Sequence, residues 1–101
     1  MFNVLGTSFY VIGGVDILMR ILNESEISKL EKIYNILKDV SNYDGKISDV
    51  RLSPDNNKII LDMKFNKALE VFIRDNDVII KGDNNYGTYV QKILQGELPM
   101  S

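Results

Sequence analysis

A chain of 101 residues with 45% hydrophobic and 26% charged content is suited to one small globular core. Twelve Lys and Arg against fourteen Asp and Glu leave a net charge of −2, and the cations stand singly, without the clustered run that nucleic-acid phosphates favour. Cysteine and histidine are both absent, which excludes disulfides, thiolate chemistry and the commonest general base and transition-metal ligand.

Residues 2–11 read as a β-strand interrupted at Gly6, and Gly13–Gly14 then breaks the chain. Val15 to Leu22 can form two helical turns with Val15, Leu18, Met19 and Leu22 on one face. The apolar stretch Phe9 to Met19 is interrupted by Asp16 and is shorter than the roughly 20 residues a membrane helix needs. The first basic residue is Arg20, so the start lacks the charged region of a signal peptide. Any export signal is therefore expected outside these residues, and the compartment stays open: extracytoplasmic for an anchored fragment, cytoplasmic otherwise. Asn23 to Glu26 has capping-box spacing. The helix it starts, over 26–40, carries Ile27, Leu30, Ile33, Tyr34, Leu37 and Val40 as one stripe and ends before Asn42, Asp44 and Gly45.

Residues 46–81 read as antiparallel strands. Ile59, Leu61, Met63 and Phe65 alternate with Ile60, Asp62 and Lys64; Leu69, Val71 and Ile73 alternate with Glu70, Phe72 and Arg74. Keeping both odd-numbered sets on one face demands a three- or five-residue loop, with pairs such as Phe65 and Leu69, because a one-residue slip would turn that face to water. The next turn behaves differently. Two residues, Asp75–Asn76, suffice to pair Ile73 with Val78 and Val71 with Ile80. That register predicts Lys64, Glu70 and Lys81 as a row of alternating charge on the outer face. Asp83 to Asn85 caps a last helix over 85–95, with Gly96 as its stop and 97–101 as a tail. The expected fold is α+β: an antiparallel sheet of four or five strands with two or three helices on one face.

Three apolar residues, Ile60, Phe72 and Ile79, point to the outer face in this register. Either an N-terminal element covers them or they form a patch for a partner or a second copy. Asp75, Asp77, Asp83, Asn84 and Asn85 cluster, and Asp83-x-Asn85-x-Gly87 partly copies a calcium loop, but no glutamate closes it and turns and caps use the same residues. Gly13–Gly14 lacks the spacing and lysine of a phosphate loop. Asp49 and Asp62 face each other across strands with neither nucleophile nor base beside them. No cofactor, metal site or enzymatic activity is expected.

The order helix, strands, helix, with Ile47-Ser-Asp-Val-Arg-Leu52 leading into a hairpin, then Val78-Ile-Ile-Lys-Gly82 and Val90-Gln-Lys-Ile-Leu94, resembles the extracytoplasmic β-domain of the FtsQ/DivIB bacterial cell-division proteins. The likeness covers Ile27 to Gly96 as a pattern of elements. It implies a non-enzymatic scaffold, anchored by a membrane span elsewhere, that recruits FtsB- and FtsL-like partners by strand addition to the sheet edge at the C-terminal end of the domain. The expected function is thus a protein–protein interaction module, a division-type scaffold binding through a sheet edge and the face of Phe72 and Ile79. The alternative is a stand-alone cytoplasmic or phage-type protein that homodimerises through the same face.

Overall fold

The computed structural model describes residues 8–12, 22–53, 57–74 and 77–96. Strand β1 (Phe9–Ile12) precedes helix α1 (Glu24–Ser41); strands β2 (Ile47–Leu52), β3 (Ile59–Met63), β4 (Lys67–Arg74) and β5 (Asp77–Gly82) follow, then helix α2 (Asn84–Gln95). The fold is α+β, with both helices packed against one five-stranded sheet of order β1-β5-β4-β3-β2. Four strands are antiparallel, as expected. The exception is β1, which runs parallel to β5. These two strands are distant in sequence, so no hairpin dictates their relative direction.

Helix α1 begins at the capping box: the Asn23 side chain accepts the Glu26 N–H at 2.8 Å, and the Glu26 carboxylate accepts the Asn23 N–H at 3.1 Å. The box accounts for Glu26 lying among the buried residues, since its carboxylate satisfies an orphan donor. Leu30, Ile33, Leu37 and Val40 are buried, whereas Ile27, expected on the same stripe, is 37% exposed. Helix α2 starts at Asp83, whose carboxylate accepts the Tyr86 N–H at 3.0 Å, and buries Val90, Ile93 and Leu94. Both stripes join Ile59, Leu61, Leu69, Val71, Ile73, Val78 and Ile80 in one core. Helix α1 packs on β2 and β4, and α2 on β1 and β5.

The β4–β5 register matches the expectation: Ile73 opposes Val78, Val71 opposes Ile80 and Phe72 opposes Ile79. The two intervening residues, 75 and 76, lie outside the described residues. The β3–β4 hairpin needs a correction. Its odd-numbered sets share a face, but Leu61 opposes Leu69 and Met63 opposes Lys67, so the turn lies at Lys64–Phe65–Asn66. Phe65 therefore does not enter the sheet; it is 83% exposed, and it and Asn66 have φ of 63° and 59°. The shift puts Asn66, which tolerates positive φ, at the bend and keeps Leu69 and Val71 inside. It also dissolves the expected charge row. Glu70 opposes Lys81, but Lys58, not Lys64, supplies the second cation, with its Nζ 2.7 Å from Glu70 Oε2. The expected bulge at Gly6 lies outside the described residues, as does the tail. The expected short helix at Val15 to Leu22 does too, except for Leu22, which is buried in the core.

Candidate functional site

The outer face is the side of the sheet away from both helices. Tyr10 of β1 opposes Ile79 of β5, and Ile79 opposes Phe72 of β4, which makes one apolar row across three strands. Of the three residues expected here, the structure brings Phe72 and Ile79 together as a cross-strand pair. Ile60 sits in the next row, between Arg51 and Glu70. Tyr10 was missed. Its signal was the alternation of Phe9 and Val11 with Tyr10, which places the tyrosine opposite the core.

Accessibility changes the expected contact. Phe72 is only 5% exposed, although it lies outside the core cluster, and Ile60 and Ile79 are half-buried. The Lys58 ammonium lies 5.9 Å from the centre of the Phe72 ring while it pairs with Glu70, so its stem and charge help roof the ring. A partner cannot seat itself on Phe72. The reachable part of the row is Tyr10, 51% exposed, with Ile79 beside it.

The two sheet edges differ in kind. Strand β2 is guarded by a register break between Ile47 and Asp49 and by charge: Arg51 lies 3.4 Å from Asp49 and 2.9 Å from Asp62, and Lys38 lies 4.0 Å from Asp49. Bulges and charges of this sort keep an edge from pairing with other chains. They also answer the Asp49–Asp62 pair, which Arg51 bridges. Strand β1 carries no charge from Ser8 to Ile12. The Val78 N–H donates to the Ser8 carbonyl at 2.9 Å, which fixes the phase of the parallel ladder. Residues 8, 10 and 12 then turn their backbone groups toward β5, and Phe9 and Val11 turn theirs away from it.

A polar clasp joins α2 to the loop between α1 and β2. The Tyr89 hydroxyl donates to Asp44 Oδ2, Asp44 Oδ1 accepts the Lys46 N–H at 2.7 Å, and the Lys46 ammonium lies 4.6 Å from the Tyr89 ring centre. Burial, then the hydrogen bond to Asp44, then the Asp44 charge push the Tyr89 pKa from 10.0 up to about 12. A tyrosine made harder to ionise is the reverse of an activated nucleophile or base. The neutral phenol is the form that the fold favours. The stabilisation is therefore complete below the unfolded pKa and is lost as pH rises through the folded value, a window from 10.0 to about 12. In a spectrophotometric titration Tyr89→Phe is expected to remove a late-ionising phenol, and in denaturant unfolding to flatten the fall of stability between pH 10.0 and about 12, because the group whose ionisation causes that fall is gone. Equal late-titrating absorbance in parent and variant would contradict the clasp.

Asp83 is committed to its cap, and among the described residues no three acidic side chains converge as a metal site. A shallow open hollow on the solvent side of α1 is lined by Ser25, Ser28, Lys29 and Lys32. No helix among the described residues is long and apolar enough to cross a membrane. No family model matches the chain, and neither a curated protein nor a solved structure matches it.

Proposed function

We propose that this chain is a non-enzymatic interaction module that takes an extended segment of a partner onto the β1 edge, with Tyr10 and Ile79 as the adjoining apolar contact. The observation that carries this reading is the contrast between the edges: β2 is guarded by charge and a register break, and among the described residues β1 is not. Phe9 and Val11 offer two N–H and two C=O groups on that edge, each worth about 1 kcal/mol net when paired. Four such bonds correspond to a Kd of about 1 mM, so useful affinity needs the side-chain contact as well.

A division-type scaffold is one form of this reading, and it rests on the pattern of elements alone. The likeness implies strand addition to the sheet edge at the C-terminal end of the domain, yet the last of the described strands, β5, lies between β1 and β4. The edge next to β5 is occupied by β1, so an added strand would pair with β1.

Displayed random peptides selected on the immobilised chain test the proposal, with the enriched peptides rebound to Tyr10→Lys and Ile79→Lys. Both variants are expected to keep the parent melting temperature, because neither residue belongs to the core. Alternating apolar segments whose binding falls about tenfold or more on either variant support edge addition. No enrichment, or binding indifferent to both changes, rejects it. Light scattering addresses the homodimer: a dimer that Tyr10→Lys dissolves makes β1 of a second copy the added strand.

A further inference from the structure

We infer that the β3–β4 turn is a membrane-contact tip, in which Phe65 enters the acyl boundary of an anionic lipid surface and Lys64 and Lys67 lie among its headgroups. This stands apart from the β1 edge and uses none of its residues.

Phe65 is poorly placed for the fold alone. It is 83% exposed, and its φ of 63° lies in the left-handed region, where a bulky side chain is an outlier. Asn66 beside it, at φ 59°, is a residue type that this region accepts. Gly, Asn or Asp at 65 would satisfy the same turn without exposing a ring. Strain kept at an exposed aromatic points to a use outside the fold.

The surroundings identify the partner's chemistry. Lys64 and Lys67 flank the bend and are exposed. The Lys64 N–H donates to the Lys46 carbonyl at 3.1 Å, which sets the loop before β2, with exposed Lys46 and 54% exposed Tyr43, beside the tip. Among the described residues none of the three lysines takes part in an ion pair. The nearby Asp44 keeps its charge but turns its two oxygens to the Tyr89 hydroxyl and the Lys46 N–H. Two cations that stand singly in the sequence, Lys64 and Lys67, thus flank one exposed ring.

Apolar depth followed by positive charge at one level is the polarity profile of an anionic bilayer interface. Lysine suits it, because its apolar stem can lie along the acyl boundary while the ammonium reaches the headgroups. Single-stranded nucleic acid would call for successive aromatics along a basic groove, whereas Phe65 stands alone on its turn and Tyr43 lies on a separate loop.

The parent has no tryptophan, so Phe65→Trp places a unique fluorophore at the tip. Its emission is expected to shift to the blue with vesicles of phosphatidylcholine and phosphatidylserine, and much less with phosphatidylcholine alone. Raising the salt should weaken binding, since the attraction is local on a chain of net charge −2. Lys64→Glu with Lys67→Glu should lower partitioning about tenfold or more. Phe65→Gly should abolish cosedimentation with the anionic vesicles while melting no lower than the parent. The inference is overturned if the emission does not move, or if it moves equally with neutral vesicles. A shift produced by oligothymidylate or polyglutamate but not by vesicles would also overturn it, as would a marked loss of stability in Phe65→Gly.

Discussion

Gly82→Ala is expected to lower the unfolding free energy by about 3 kcal/mol or more, a large share of the roughly 5–15 kcal/mol available to a domain of this size. Two causes act together. The backbone at Gly82 has φ 140°, a region that L side chains rarely adopt. A Cβ built there would also lie 2.7 Å from the Ala68 carbonyl oxygen and 2.7 Å from Leu69 Cδ2. The carbonyl belongs to β4 and cannot swing aside as the end of a flexible side chain could. Gly82 opposes Leu69 at the end of β5 and precedes Asp83, the cap of α2, so the same residue ends the strand and directs the helix onto the core face. Denaturant unfolding followed by circular dichroism measures the loss as a lower midpoint at unchanged slope. Asparagine, which tolerates the left-handed helical region, should not rescue the site, because φ 140° lies outside that region and its Cβ meets the same oxygen. A Gly82→Asn chain as stable as the parent would show that the backbone relaxes and that the close contact is not maintained.

What could be read from the residues follows from which residues carry a directional signal. The β4–β5 register was legible because burial parity, a two-residue gap and the Glu70–Lys81 pairing all favour the same alignment. Helix α1 was legible from Asn23, Glu26 and the spacing of Leu30, Ile33, Leu37 and Val40. The β3–β4 turn was misplaced by two positions because Phe65 was assigned to the sheet on its hydrophobicity, when turn geometry governs it. Alternation in β1 marks its inner face but carries no information about partner or direction, so its parallel pairing with β5 was not legible. The covering of Phe72 was hidden for a related reason: Lys58 reaches it from just before β3, a contact that depends on the corrected register. The candidate surface moved accordingly, from the centre of the face toward Tyr10 and the β1 edge.

Gly87→Ala tests whether that edge is held where the proposal needs it. In an isolated helix the change would stabilise by about 1 kcal/mol, because glycine is the poorer helix former. Here the sign is expected to reverse. Gly87 is buried on α2, and an added Cβ would lie 2.6 Å from Val11 Cγ1 and 3.6 Å from Ile80 Cγ2. Val11 is β-branched and stiff, so the overlap must move either β1 or the helix. Overpacking costs about 1–3 kcal/mol, which leaves a net loss of up to about 2 kcal/mol after the helix-propensity gain. A double-mutant cycle isolates the contact. Val11→Ala alone should destabilise by opening space in the core, yet in the Gly87→Ala background it should cost less, with a favourable coupling of about 1 kcal/mol. Strictly additive effects would mean that α2 and β1 do not meet at this point. The same strain should register at the proposed site: if α2 seats β1 against β5, Gly87→Ala should speed hydrogen exchange at the Tyr10 amide, which faces β5, more than at the β4 amides. It should also weaken any segment bound along the edge, even though Gly87 itself lies on the core face.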